Sequence, residues 1–168
     1  MAHSTEPSDI LILLNRLGDL WITYIKGQML LSLIMGAIVW VVGSAIGLYW
    51  ALGLGLIAGI LQTIPGLGGI FAIVPAVIVA FWKGSSVIPV DNWIFALIVA
   101  GTFLAVQQIG AILIEPRIMG KRLNLPPLIV FVAVMVGAAL GSVVGAYLAV
   151  PLVASVRELA RFARRNRR

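Results

Sequence analysis

Four long stretches of this sequence carry no charged residue, at 28–48, 50–82, 93–114 and 128–156. A helix rises about 1.5 Å per residue, so the 21 residues of the first stretch cover about 30 Å, the thickness of a bilayer's hydrocarbon core. Charged residues make up 11% of the chain, against about 25% in soluble domains. The sequence therefore predicts an all-α integral membrane protein, with full spans at 28–48 and 93–114.

A fourth apolar segment, 50–82, is interrupted in its middle by residues that disfavour a helix. Proline removes a backbone donor, and glycine adds backbone freedom that a continuous helix lacks. Broken backbone at membrane depth is tolerated only where it is buried in protein or lines a wet cavity. The pattern favours a re-entrant hairpin, and two tilted spans joined by a tight turn are the alternative. The interrupting residues are Gln62, Thr63, Pro65, Gly66, Gly68 and Gly69.

The stretch 128–156 contains a comparable interruption. Its 29 residues exceed a single span, and its glycines recur at the four-residue spacing that lets membrane helices approach closely. We predict a second broken hairpin here, with Pro151 distorting its second arm. The glycines expected to pack helices are Gly43, Gly47, Gly137, Gly141 and Gly145.

Polar segments flank the predicted membrane domain, 28–156. Residues 1–27 include an amphipathic pattern that predicts an interfacial helix closed by Lys26 and Gly27, or else a helix packed on a partner. Residues 157–168 form a basic tail, and the connection 115–127 is also basic. With the tail in the cytoplasm, every basic cluster falls on the same side of the membrane, so both termini are predicted to be cytoplasmic.

The predicted elements also form an internal repeat. Each half is one span followed by one interrupted hairpin, and the two halves run in opposite directions. Inverted repeats with interrupted helices that meet near the midplane are typical of transporters.

The composition argues against an enzyme or a nucleic-acid-binding protein. The chain has no cysteine and one histidine, His3, and it shows no serine–histidine, carboxylate-pair or metal-ligand pattern. We therefore expect no cofactor and no metal. A basic tail beside a hydrophobic segment favours contact with anionic lipid over nucleic acid, so the expected partner is the bilayer.

Polar residues inside apolar segments are the candidate transport path. A buried amide in a membrane needs hydrogen-bond partners, so Gln107 and Gln108 should both face the protein interior. Pro116 should halt that helix, and Glu115 is the acidic residue closest to the hydrophobic segments. Packing or local hydrogen bonding is the alternative for each residue. The proposed path comprises Gln62, Thr63, Pro65, Gly66, Gly68, Gln107, Gln108, Glu115 and Ser142.

Taken together, several motifs resemble the AI-2E family of membrane transporters, the autoinducer-2 exporter-like permeases. The resemblance covers residues 22–160 and corresponds to the C-terminal half of family members. The motifs are Tyr24-Ile-Lys-Gly-Gln28, Ile64-Pro-Gly-Leu-Gly68 with Pro75-Ala76, Gln107-Gln108, Pro116-Arg-Ile-Met-Gly-Lys121, Leu125-Pro-Pro127, the three glycines of the second hairpin and Leu148-Ala-Val-Pro151.

The resemblance implies a multi-pass protein of the bacterial cytoplasmic (inner) membrane that exports or exchanges a small molecule or an ion. Relatives are described as signal exporters or Na⁺/H⁺ antiporters, and homo-oligomers are implied. The alternative is a non-transporting structural or accessory subunit of a larger membrane complex. The sequence departs from the family at Gln62, Gly66, Gly110 and Pro126, where members often carry acidic residues or asparagine, tyrosine, acidic residues and histidine, respectively.

Overall fold

The computed structural model describes residues 7–64, 68–119 and 126–165. In these ranges the chain is helical and contains no strand. Three helices are long and apolar enough to cross a membrane, at Leu11–Ala45, Asn92–Ile118 and Leu128–Phe162. The all-α membrane architecture expected from the sequence is thus confirmed. The helices are α1 (Pro7–Ala45), α2 (Ala51–Leu61), α3 (Gly68–Lys83), α4 (Asn92–Ile109), a π-helical turn (Gly110–Ile114), α5 (Glu115–Met119) and α6 (Pro127–Arg165).

The chain divides into two compact units, which are described separately. The first, here the central unit, comprises residues 28–120; the second, the terminal unit, comprises 1–27 and 121–168. The boundary at Gly27 and Gln28 falls inside α1, which is one continuous helix where the sequence predicted an end at Lys26 and Gly27. Neither residue removes a backbone hydrogen bond, and one glycine in a helix costs only about 1 kcal/mol.

The core of the central unit lies where α3 packs on α4. Ala76 and Ala80 of α3 are fully buried against aromatic side chains of α4, Phe95 and Phe103. Small residues on one helix let the backbone of its neighbour approach closely, as is usual between membrane helices.

One end of the central unit is a turn–loop junction made by residues 46–50 and 84–91. Gly47 lies beyond α1 at φ +75°, and its carbonyl accepts the Ser86 amide at 3.0 Å. Ser85 Oγ donates to the Ile46 carbonyl at 2.8 Å. Gly47 is therefore a turn residue rather than the helix-packing glycine that was predicted, because its positive φ disfavours a side chain. Gly43, one turn earlier, does pack closely on Ala51 and Phe103.

The helix that begins with α4 continues past Pro116, where the sequence predicted a stop. The Glu115 amide bonds the Gly110 carbonyl, five residues back, so this turn is wider than an α-helix. A proline ring normally clashes with the carbonyl four residues before it. The π-helical turn loosens the backbone just ahead of Pro116, which then occupies the first turn of α5.

In the terminal unit, α6 is bent sharply at Gly141 and Ser142, whose backbone angles are not helical. Ser142 adopts φ +56° and ψ −144°, a region that is strained for a residue with a side chain. The two arms meet at Gly137 and Gly145, where an added Cβ would overlap the facing carbonyl. A Cβ on Gly141 would meet no described atom within 4 Å, so this glycine belongs to the break and not to the packing face that was predicted.

Pro151 lies in the second arm of α6 without the distortion that the sequence predicted. Its missing N–H leaves the Tyr147 carbonyl, four residues back, without an intrahelical donor. The buried Tyr24 hydroxyl of α1 donates to that carbonyl at 3.1 Å. An external donor thus replaces the lost helical bond, and α6 runs on to Arg165.

Candidate functional site

Polar side chains from three helices surround the gap between α2 and α3. Gln28 and Ser32 come from α1, Gln62 and Thr63 follow α2, and Gln107 comes from α4. All five belong to the central unit. We call this group the break cluster.

The regular hydrogen bonding of α2 stops at Gln62. The Gln62 amide still bonds Ala58, four residues back, but the Thr63 amide bonds Ile60, only three residues back, at 3.1 Å. A short 3₁₀-type turn of this kind commonly closes a helix. It brings polar backbone and side-chain groups of 62–64 into an otherwise apolar helical unit.

Gln28 holds the broken backbone from α1. Its Nε2 donates to the Gln62 carbonyl at 2.6 Å, and only 2% of the Gln28 residue surface is exposed. A carbonyl freed by a helix break needs a donor when no water reaches it. Gln28 supplies that donor across 34 residues of sequence.

The side chains beside this hydrogen bond have donor and acceptor groups that lack good hydrogen-bond partners. The hydroxyls of Ser32 and Thr63 lie 3.4 Å apart, a long contact in which either group can donate. The Gln62 Oε1 atom is buried and has no hydrogen-bond partner in the described part of the chain. Spare acceptor and hydroxyl capacity therefore remains at the break.

On the opposite side, the start of α3 is packed without room for added atoms. A Cβ at Gly68 would overlap the Leu61 carbonyl and lie 2.7 Å from the Gln62 Cα. A Cβ at Gly69 would overlap the Gln107 amide oxygen. Gly68 is thus required by its close approach to backbone atoms, whereas the contact of Gly69 is with the end of the flexible Gln107 side chain, which lies directly against the first turn of α3.

Two matching rows of residues set the contact between α1 and α2. Gln28, Ser32 and Gly36 are four residues apart on α1, as are Gly55, Gly59 and Thr63 at and beyond α2, so each row shares one helical face. A Cβ on Gly36 would lie 2.8 Å from the Gly55 carbonyl, and one on Gly59 would lie 3.0 Å from the Ser32 carbonyl. The glycines bring the two helices close enough for the polar ends of the rows to meet.

Helix lengths place the break cluster far from the turn–loop junction. Gln28 lies 17 residues before Ala45, the last residue of α1, and Gln107 lies 15 residues after Asn92, the first residue of α4. At 1.5 Å per residue these separations are about 26 Å and about 22 Å. Four exposed aromatic side chains lie in the junction or in the helix turns next to it, and such side chains commonly mark a membrane–water interface: Tyr49, Trp50, Trp82 and Trp93.

The remaining path residues do not join this cluster. Gln108 is exposed, whereas it was predicted to face the interior with Gln107, because successive residues on a helix point about 100° apart. Glu115 is half-buried and forms no ion pair with another described residue. Ser142 is exposed at the bend of α6 in the terminal unit, and Pro65 and Gly66 lie outside the described residues.

Sequence reasoning missed Gln28 and Ser32 as site residues. The usable signal was their spacing, because Gln28, Ser32 and Gly36 form one polar-to-small row on an otherwise apolar helix. It also missed Gly55 and Gly59, whose four-residue spacing is the small-residue pattern seen in close membrane helix pairs.

The break cluster is polar but uncharged. Its side chains are neutral amides and hydroxyls, and the described residues contain no group of His, Cys, Asp or Glu suited to a metal ion. The C-terminal end of α2 carries a partial negative charge and the N-terminal end of α3 a partial positive one. Such a site suits hydrogen bonding to a polar solute or the coordination of an ion.

Comparison with known proteins gives one consistent group. A family model described as AI-2E family transporter matches residues 4–165. The chain is 34% identical to YueF of Bacillus subtilis (strain 168) over 141 residues, which are 84% of this chain and 36% of YueF. It is 28% identical to the AI-2 transport protein TqsA of Escherichia coli (strain K12) over 152 residues, which are 90% of this chain and 42% of TqsA. The chain thus spans less than half the length of these relatives.

Proposed function

This chain belongs to the AI-2E transporter family, and from that premise we propose that it moves a small polar molecule or an ion through the break between α2 and α3. Family membership was expected from the motifs and is confirmed by the family match. The substrate, the coupling ion and the route are parts of the proposal.

The observation that supports this route is the polar lining of the helix break. Polar groups inside a membrane domain are costly and usually mark a substrate or ion pathway. Here Gln28, Gln62 and Gln107 come from separate segments and converge on one gap in an apolar unit. The buried, unpartnered Gln62 Oε1 supplies acceptor capacity that the described protein groups do not use.

We further propose that α2 and α3 form a re-entrant hairpin. If the exposed aromatic side chains at the turn–loop junction lie at the interface, the break cluster lies about 22–26 Å into a hydrocarbon core of about 30 Å. The tip would then stop about 4–8 Å short of the opposite boundary. A tip at that depth needs the donor that Gln28 provides.

The bacterial cytoplasmic membrane is the proposed location, with both termini in the cytoplasm. This orientation is supported by the basic residues of 115–127 and 157–168. If the C-terminal tail lies in the cytoplasm, the predicted topology places both segments on the cytoplasmic side, where basic segments usually lie. The aromatic junction of the central unit would then face outward. Neither an enzymatic step nor a cofactor is part of the proposed cycle.

Replacing Gln107 should impair transport more than replacing its neighbour. Gln107→Ala removes the amide that lies against Gly69, whereas Gln108→Ala changes an exposed residue one position along the same helix. In proteoliposomes containing the purified chain, we expect Gln107→Ala to lower the initial flux about tenfold, the effect of about 1.4 kcal/mol. Gln108→Ala should stay within about twofold. The probes are AI-2 uptake and Na⁺-driven proton movement reported by a pH-sensitive dye.

Equal losses in the two variants would remove Gln107 from the path. The accessory role would be favoured if the unsubstituted chain transported neither AI-2 nor Na⁺ and protons and if it always co-purified with unrelated membrane subunits. A homo-oligomer with measurable flux supports the transporter.

A further inference from the structure

The two arms of α6 are held by different contacts in the terminal unit. The second arm, residues 143–165, is tied to α1 by polar groups. These contacts join Tyr24 to the Tyr147 carbonyl at 3.1 Å, Trp21 to Ser155 Oγ at 3.0 Å, and Arg16 to Glu158 at 3.6 Å. Because they are spread over 147–158, about three turns of helix, they fix both the position and the rotation of this arm on α1.

The first arm, residues 128–140, has no comparable anchor. Its sequence consists of apolar residues and one glycine, so its side chains can form neither hydrogen bonds nor ion pairs. Val134 is the one buried side chain among these described residues, and most of the others are exposed. The close contact of Gly137 with Gly145 and Ala149 joins this arm to the second.

The bend between the arms has the backbone geometry of a hinge. Ser142 has φ +56° and ψ −144°, a strained combination that persists only where surrounding contacts enforce it. Yet Ser142 is exposed, and its hydroxyl has no hydrogen-bond partner among the described residues. Gly141 is exposed as well, with no described atom within 4 Å of an added Cβ. Hinges are a few such residues that absorb a change in backbone angles.

Separating the two arms costs little in a membrane. A crease of about 360 Å³ lies between them, and the described residues that line it are alanine, valine, leucine and glycine. Lipid tails are as apolar as leucine, so opening the crease to lipid sacrifices packing contacts but no burial from water. The contact at Gly137 is therefore opposed by the strain at Ser142 without a large hydrophobic contribution on its side.

We propose that the first arm of α6 is a movable arm that swings about Gly141 and Ser142 while the second arm stays fixed on α1. In the closed position, which is the bent form, Gly137 packs on Gly145 and Ser142 is strained. In the open position, Ser142 relaxes to ordinary backbone angles and the crease between the arms widens. Because packing and strain oppose each other, both positions are populated.

Distances between spin labels, measured by double electron–electron resonance, test this movement in a chain that has no cysteine of its own. The labelled full chain is mixed with an excess of unlabelled chain and reconstituted in lipid nanodiscs, so that each distance lies within one molecule. Ile129→Cys and Val156→Cys, at exposed positions far from the bend, report the separation of the arms. Ile22→Cys with Val156→Cys reports the attachment of the second arm to α1. We expect two distances for the first pair and one for the second.

Two substitutions should shift this balance in opposite directions. Ser142→Gly removes the strain and should raise the ratio of the short to the long distance about tenfold, whereas Ser142→Ala keeps the Cβ and should leave the ratio unchanged. Gly137→Ala places a methyl group on the Gly145 carbonyl and should lower the ratio about tenfold. Gly101→Ala, where an added Cβ meets no described atom within 4 Å, is the control for that change.

The proposal would be overturned by a single distance between positions 129 and 156 that neither Ser142→Gly nor Gly137→Ala alters, or by two distances whose ratio both variants leave unchanged. A second distance of equal amplitude between positions 22 and 156 would also overturn it, because the second arm would then move as well. These measurements do not read flux, so this proposal and the transport proposal can fail separately.

Discussion

Gly68→Ala is expected to destabilise the central unit by about 3 kcal/mol, the upper part of the range for an overpacked site. The added methyl group would overlap the Leu61 carbonyl and press on the Gln62 Cα, both of which are backbone atoms. Backbone cannot rotate away as a flexible side chain can, so the gap between α2 and α3 must open. We expect a clearly lower thermal unfolding midpoint in detergent and loss of flux in proteoliposomes.

Gly53→Ala is the matched control for this substitution. Gly53 lies inside α2 with no described atom within 4 Å of an added Cβ. Glycine-to-alanine changes in a helix interior stabilise by up to about 1 kcal/mol, so this variant should unfold at the same or a higher temperature. If Gly68→Ala were as stable as Gly53→Ala, the close contact between Gly68 and the Leu61 carbonyl would not be present in the folded protein.

Gln28→Ala should be the second most damaging single change. It leaves the Gln62 carbonyl without the donor that the buried Gln28 supplies, which costs about 1–3 kcal/mol, and it also leaves a cavity. We expect a lower unfolding midpoint together with reduced flux.

Gln28→Met separates the hydrogen bond from packing. Methionine is similar in length to glutamine but has no N–H to donate. If the bond to Gln62 matters, Gln28→Met should resemble Gln28→Ala, while the exposed Gln108→Ala should resemble the unsubstituted chain. A fully stable and active Gln28→Met would assign Gln28 a packing role only.

The membrane class and the two helix breaks were predictable because they depend on local composition. Charge-free stretches of span length identify the helices, and the dense Pro/Gly/Thr/Gln sequence of 62–69 identifies the first break. The bend in α6 at Gly141 and Ser142 lies inside the second predicted interruption. These signals do not depend on which helices become neighbours.

Tertiary contacts and local helix geometry account for what the sequence did not reveal. Pro151 does not interrupt the second arm of α6, where the Tyr24 hydroxyl, 123 residues from Tyr147 in sequence, bonds the carbonyl that the proline leaves without a donor. Pro116 is accommodated by the wider helical turn before it. Gln28 became part of the candidate site only through its contact with Gln62, and Gln108 fell outside because a helix cannot turn two successive residues to the same side.

The central claim is that a polar solute or an ion moves through the break between α2 and α3, which requires that water reach the Thr63 side chain from one side of the membrane. The chain has no cysteine, so a single introduced thiol reports its own environment. Thr63→Cys lies in the break cluster, and Leu104→Cys is an exposed position on α4 near the same depth. Each protein is treated with a membrane-impermeant maleimide in sealed proteoliposomes of known orientation. We predict rapid labelling of Thr63→Cys from one side and none of Leu104→Cys; a Thr63→Cys thiol as unreactive as Leu104→Cys from both sides would contradict a water-accessible site at the break.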